Sequence, residues 1–401
     1  MVFQGWNCYN NPRNENQNKK QEGYKMKRKL ISALLATAMV ASMVVVPVMA
    51  DEETEAATRL PQKLLQKLLQ KLLQKLLQKL QQKKNAEPVA NPDLADKKVG
   101  VCIYQFSDNF MTLFRTELED YLVKLGFSKE NITIQDGQND QATQSNQIDA
   151  FIADGVDVLI INPVNTSSAE TITDKVVDAG IPLVYINREP GEDEEARWDE
   201  NGWDVTYVGC DARQSGTFQG EEIAELENKG DADGDGVVRY IMVQGDPENV
   251  DAQYRTEKSV EALKAAGVEV EELTKQRGDW DQTKGQEITA NALSQYGDKI
   301  DVVFCNNDAM ALGALQAIEA AGRTVNKDIY LVGVDALVEV VENVMNDKMT
   351  GTVFNDYFGQ AHTAADKALD FVNGKDVDNV YMVDYVKVTT ENAGDILEMI
   401  K

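Results

Sequence analysis

The sequence predicts an α/β fold built as two doubly wound, Rossmann-like lobes with parallel sheets. From residue 98 onward, short apolar runs alternate with segments of helical period, the signature of strand–helix–strand crossovers. The alternation pauses at a polar stretch, 191–204, and then restarts. Together the apolar runs exceed one comfortable sheet, so two lobes are expected.

Residues 1–25 are polar and irregular, and Met26 reads as the true start. Residues 26–50 (MKRKLISALLATAMVASMVVVPVMA) combine a basic head, an apolar run from Leu30 to Val46 and the small-residue ending Val48-Met49-Ala50. That is a signal peptide cleaved after Ala50. A membrane anchor is the alternative for so long an apolar run. Residues 51–97 form a basic spacer and linker. Within it, 62–81 repeat Gln-Lys-Leu-Leu, and a period of 4 winds the leucine stripe around a helix instead of holding one face. This segment is either a spacer or, being basic and leucine-rich, a helix lying on an anionic membrane through 62–84.

In the body, strands are predicted at 98–104, 131–135, 157–161, 181–186, 205–208, 237–244, 267–273, 300–306, 328–334, 350–354 and 380–387. Helices are predicted near 110–125, 141–154, 167–179, 212–227, 252–266, 281–296, 308–322, 336–347 and 357–373. The 401 residues carry 40 Lys+Arg against 67 Asp+Glu, a net charge of −27. The charge is split: residues 1–86 are net +9 and residues 87–401 net −36. So acidic a body repels phosphates, which argues against a nucleic-acid partner. The single histidine, His362, excludes multi-histidine metal sites and makes triad chemistry a poor fit. Past the signal, Cys102, Cys210 and Cys305 are an odd number and read as buried free thiols.

Ligands of doubly wound sheets bind beyond the carboxyl ends of the strands. The residues there are Asp108, Asn109, Phe110, Asn187, Arg188, Asp251, Arg255, Trp280, Asp281, Asn307, Asp308, Asp335, Asn355 and Asp356. Sugar hydroxyls both donate and accept, so they suit fixed carboxylates, amides and a guanidinium. The C–H faces of a pyranose suit flat rings such as Phe110 and Trp280. Taken singly, Asp and Asn at these places also serve as turns and helix caps. Caps do not require Arg255 or Trp280.

The segments Tyr-Gln-Phe-Ser-Asp-Asn-Phe-Met (104–111), Asn-Asp-Gln (139–141), Asn-Arg-Glu-Pro (187–190), Asn-Asn-Asp-Ala-Met-Ala (306–311), Gly-Val-Asp-Ala-Leu (333–337) and Gly-Thr-Val-Phe-Asn-Asp (351–356) carry a resemblance. From about residue 98 to the C-terminus the chain resembles the galactose/glucose-binding proteins of bacterial ABC transporters. The resemblance implies the type I periplasmic-binding-protein fold, two lobes joined by three hinge crossings, near 208–212, 353–357 and 382–386. The N-terminal lobe would be 98–208 plus 357–384, and the C-terminal lobe 209–354 plus 385–401. It implies sugar contacts from Asp108, Phe110, Asn187, Asp251, Arg255, Trp280, Asn307, Asp335 and Asn355. A tenth contact, histidine in the family pattern, is Asn249 here.

The loop Asp-Ala-Asp-Gly-Asp-Gly-Val-Val-Arg (231–239) places Asp231, Asp233 and Asp235 at positions 1, 3 and 5 of a calcium loop, with the Val237 carbonyl at 7. Met242 stands at position 12, so the loop is not a complete EF-hand. The resemblance supplies the missing carboxylate from Asp301 and places Arg239 where the family has glutamine. A structural calcium ion is expected, more weakly held than in relatives. The function expected is that of an exported, non-enzymatic receptor in the periplasm or on the outer face of the membrane. It would capture a monosaccharide, galactose or glucose, and deliver it to an ABC permease. The alternatives are a sensor that presents its sugar to a chemoreceptor or kinase, and a glycosidase using Asp108 and Asp251.

Overall fold

The computed structural model describes residues 91–401, all within one compact unit, Glu87–Lys401. The leader, the signal peptide and the Gln-Lys-Leu-Leu repeat lie outside the described residues. Central strands are buried along their whole length, as parallel strands covered on both faces must be. Three edge strands, Ile132–Asp136, Val270–Arg277 and Val380–Met382, are only partly buried.

In the first lobe, β1 (Val99–Ile103), β2 (Ile132–Asp136), β3 (Val158–Ile161), β4 (Leu183–Ile186), β5 (Val205–Gly209) and β11 (Val380–Met382) form one parallel sheet, ordered β11-β5-β4-β3-β1-β2. Its helices are α1 (Asn109–Leu125), α2 (Gln141–Asp154), α3 (Ala169–Asp178), α4 (Glu192–Asn201) and, returning late in the chain, α10 (Tyr357–Val372), which packs on α1. In the second lobe, β6 (Val238–Gln244), β7 (Val270–Arg277), β8 (Val302–Cys305) and β9 (Tyr330–Val332) form a parallel sheet ordered β7-β6-β8-β9. Bridges from Val332 to Gly351 and from Asp335 to Phe354 continue it to β10 (Thr352–Phe354). β10 in turn pairs antiparallel with β12 (Val386–Val388). The helices here are α5 (Ala212–Ala224), α6 (Val250–Ala265), α7 (Gln282–Tyr296), α8 (Asp308–Ala320), α9 (Val338–Met345) and α11 (Ala393–Ile400).

Both sheets follow the order 2-1-3-4-5, so each reverses direction beside its first strand, between β1 and β3 and between β6 and β8. Ligands of such sheets bind at that switch point. The chain passes between lobes three times: after Gly209, after Phe354 and between Met382 and Val386.

Four local predictions are corrected. The run 380–387 is two strands in different sheets, because the third crossing divides it. The polar stretch 191–204 contains α4, whose first turn (Glu192, Asp193, Glu194, Glu195) complements the helix dipole. Trp198 anchors it, fully buried, stacked 5.4 Å from Tyr185 and donating to Glu194 at 2.7 Å. A C-terminal helix, α11, follows β12. Residues 91–97 are not loose linker: Leu94 is buried in the core, and the Asn91 N–H donates to the Leu125 carbonyl at 2.9 Å. Gly126 permits that approach, since at φ +117° a Cβ would stand 2.4 Å from the Asn91 oxygen. The first lobe therefore begins by residue 91, and β5 runs through Gly209.

Candidate functional site

The two switch points face one cavity of about 340 Å³, counting the space open at its mouth. All ten residues singled out from sequence line it: Asp108, Phe110, Asn187, Asn249, Asp251, Arg255, Trp280, Asn307, Asp335 and Asn355. Three of them are also helix caps. Asp108 accepts from the Met111 N–H at 2.7 Å, Asn249 from Asp251 at 2.8 Å and Asn307 from Met310 at 3.0 Å. Capping fixes these side chains, so the two readings of such residues are both correct.

On the first lobe, the second oxygen of Asp108 accepts from the Tyr104 hydroxyl at 2.6 Å. The Arg188 guanidinium stacks 3.6 Å over the Tyr104 ring and donates to the Val164 carbonyl at 2.6 Å. Asn187 sits at φ +61°, a left-handed turn directly after β4, and its side-chain oxygen accepts from Asn162 at 3.2 Å. Asn162 itself is fully buried and ties the ends of β1 and β4 together through Tyr104 and Ile186.

The second lobe repeats the device. Asn306, fully buried after β8, accepts from the Gly245 N–H at 3.0 Å, and its carbonyl accepts from Arg255 at 2.8 Å. Arg255 also donates to the Tyr385 hydroxyl at 3.0 Å, reaching the third crossing. Its Nε has no partner, nor has the indole N–H of Trp280. The Trp280 ring lies over Gly245, where a Cβ would come within 2.3 Å of it. Asn355 donates to Asp335 at 3.2 Å and accepts from Gln360 at 2.7 Å.

Burial raises Asp335 well above the usual carboxylate range, against the pull of Arg255. It raises Asp251 as well, against Arg255 and Arg188. For Arg255, burial alone would lower the pKa, but the Tyr385 hydroxyl, Asp335 and Asp251 hold it above its ordinary value. The cavity thus holds three carboxylates, two guanidinium groups and two orphaned donors. It is equipped to grip hydroxyls that donate and accept in turn.

The periplasmic binding protein domain model matches residues 99–376. The chain belongs to the periplasmic binding protein family. A D-galactose/methyl-galactoside binding periplasmic protein of Haemophilus influenzae is 33% identical over 317 residues, a match spanning 76% of this chain and 93% of the relative. A putative rhizopine-binding protein of Rhizobium meliloti is 33% identical, with 74% and 91% covered. Among solved structures, an ABC transporter solute-binding protein of Bacillus halodurans with bound myo-inositol superposes with a TM-score of 0.67 at 31% identity. That superposition covers 77% of this chain and 99% of the other. A member of this family is a solute-binding receptor of an ABC transporter; it captures its ligand and does not convert it.

In this periplasmic binding protein two cavity residues escape the sequence reading, Tyr104 and Met111, while Arg188 is named at its strand end but not among the ten sugar contacts. Tyr104 immediately follows β1 and Arg188 stands at the end of β4, so strand position marks both. Applying the same rule to β3 would also have found Asn162. Conversely, Asp281 and Asp356 only cap α7 and α10. Asp308 points away, accepting from the Thr352 hydroxyl at 2.7 Å and the Leu337 N–H at 2.8 Å. Cys102, Cys210 and Cys305 are free and buried.

At the Asp-rich loop, carboxylate oxygens of Asp231, Asp233 and Asp301 lie within 4.8 Å of one another, a donor set suited to a hard cation. Two of the six predicted ligands do not fit. The side chain of Arg239 is itself a cation and cannot ligate. It holds Asp235 at 2.8 Å, stands 3.9 Å from Asp233 and also bonds Glu271, which keeps Asp235 out of the cluster.

Proposed function

We propose that this receptor is exported and captures a neutral hexopyranose, galactose or glucose, between its lobes for delivery to an ABC permease. The observation that carries this is the pairing of two buried, unpartnered donors, Arg255 Nε and Trp280 Nε1, with Asp108, Asp251 and Asp335 in one cavity. Unpaired buried donors cost about 1–3 kcal/mol each, which a ligand oxygen would recover. The carboxylates would repel an anionic ligand and welcome hydroxyl donors. Two of the relatives carry uncharged six-membered rings bearing hydroxyls, galactose in the name of one and myo-inositol bound in the other, while others are ribose-binding proteins.

Phe110, fixed in α1, and Trp280, fixed over Gly245, would clasp the ring from opposite lobes. Ligand contacts to both lobes stabilise the closed arrangement, which the permease reads. The Arg255–Tyr385 bond couples the ligand to a crossing strand. Asp231, Asp233 and Asp301, with the Val237 carbonyl, would hold calcium as a structural ion, weakened by the guanidinium of Arg239.

A thermal-shift screen of galactose, glucose, ribose and myo-inositol tests the class. A ligand at 100 times its dissociation constant adds about 2.7 kcal/mol, a shift of several degrees. A rise with ribose alone would replace hexose by pentose in this reading.

A further inference from the structure

Beside the sugar cavity the lobes face each other along a seam rich in carboxylates. The first lobe presents Glu189, in the turn after β4, and Glu192 and Glu195, in the first turn of α4. The second presents Asp211, the cap of α5, Arg213 in the first turn of that helix, and Asp251 and Tyr254 near the start of α6. The lobes touch directly here, since Arg213 reaches Glu192 at 3.5 Å. Glu189 faces Asp251, Asp211 and Arg213 across the seam and Glu192 and Glu195 on its own side. Glu195 faces Glu189, Glu192 and Arg213.

Arg213 does not satisfy this set. Its guanidinium donates to the Tyr254 hydroxyl at 2.8 Å and to Asp211 at 3.2 Å, and it lies 4.1 Å over the Tyr254 ring. Glu189 is only 7% exposed, yet no hydrogen bond or ion pair from the described residues reaches its carboxylate. One oxygen of Glu195 is buried and likewise without a partner. Ionised carboxylates in such places are unfavourable, and either a cation or a proton relieves them. Among the described residues no three carboxylates gather here as they do at the Asp-rich loop, so a metal ion is poorly served. A proton needs only one oxygen. Burial, then Glu189 and Glu192, push Glu195 up to about 7, against the pull of Arg213. Burial, then Asp251, raise Glu189 too, with Asp211 and Glu192 adding and Arg213 opposing. Opening the lobes would draw Asp251 and Asp211 away and admit water, returning both glutamates toward the ordinary carboxylate range.

We infer that the receptor takes up a proton as it closes on its sugar, and that Glu189 and Glu195 hold it. A proton bound more tightly by the closed form favours closing. That gain is fully present below the ordinary carboxylate range and is lost as pH rises through the raised value, so sugar affinity falls as pH rises from about 4.5 to about 7. The inference rests on closure of the two lobes around a sugar, not on which sugar it is.

Calorimetry on the full mature protein tests it with galactose, glucose, ribose and myo-inositol. Wild type should bind its sugar about tenfold or more tightly at about pH 5.5 than at about pH 8. Between these limits, its heat should vary with the ionisation enthalpy of the buffer in the sense of proton uptake. Glu195→Gln imitates the protonated side chain, so at the higher pH it should bind several-fold tighter than wild type, a gain that a damaged fold would not give. Glu189→Gln should act in the same direction, and either variant suffices if the other fails to fold. Asp251 and Asp335 in the cavity are raised as well, so the double variant assigns the proton. Undiminished uptake by the double variant would place the proton on those carboxylates and overturn the inference. Sugar affinity independent of pH in wild type, or no gain at the higher pH from either variant, would overturn it too and leave the hexose reading standing. If only ribose or myo-inositol binds, the hexose reading fails while the same measurements on that ligand decide the proton. If none of the four binds, both fail.

Discussion

Arg255 is where a single side chain has the largest leverage. It is buried, bonded to a carbonyl after β8 and to a hydroxyl in the third crossing, and retains one free donor. Arg255→Ala would leave Asn306, Tyr385 and the sugar oxygens unpaired, a loss of roughly 2–3 kcal/mol, or about 30- to 150-fold in affinity. Titration calorimetry checks it; an affinity unchanged within threefold would remove Arg255 from the ligand contacts. Asp308 makes a different prediction. Burial pushes its carboxyl up to about 7, opposed by the Thr352 hydroxyl and the N–H groups of Leu337 and Ala336. A carboxyl raised in the folded state binds a proton that the unfolded chain releases near pH 4. Its contribution therefore favours folding at low pH and declines as pH rises from about 4 to about 7. Denaturant midpoints for wild type minus Asp308→Asn should show that decline, whereas a difference independent of pH between 4.5 and 7.5 would contradict it.

Elements were readable from sequence wherever burial followed a period. β1, β3, β4 and β8 are continuous apolar runs, and residues after β1, β4 and β8 were assignable to the cavity from sequence alone. What escaped had a physical reason. α4 has too few apolar residues for a helical stripe and depends on one buried tryptophan and a favourable dipole. β11 and β12 read as one strand because both are β-prone, and only tertiary pairing divides them. Asp308, Asp281 and Asp356 share the strand-end position of true cavity residues, and position alone cannot say which way a carboxylate turns. The Asp-rich loop was recognisable as a motif, while the capture of Asp235 by Arg239 needed three dimensions. If Asp231, Asp233 and Asp301 hold calcium, EDTA should lower the melting temperature and excess calcium restore it. Arg239→Gln should raise calcium affinity by freeing Asp235 and removing a competing charge. No response to either reagent in wild type or variant would eliminate the metal.

For the whole molecule, the doubled 2-1-3-4-5 order brings two switch points onto one cavity, and three crossings join the halves. Function follows from that duplication, since neither lobe alone surrounds a ligand. The basic segment 62–84 lies outside the described residues, and its composition predicts attraction to anionic lipid. Deleting 59–86 should leave sugar affinity unchanged and abolish sedimentation with anionic vesicles. If the intact mature protein never co-sediments, the segment is a spacer. The central claim is that a neutral hexose sits between Phe110 and Trp280 in a cavity shared by both lobes. Calorimetry of wild type and Trp280→Ala with galactose and glucose tests it most directly. The account predicts a one-to-one binding heat with at least one of these sugars and a loss of tenfold or more in the variant. Heat from neither sugar, or undiminished binding by Trp280→Ala, would contradict it.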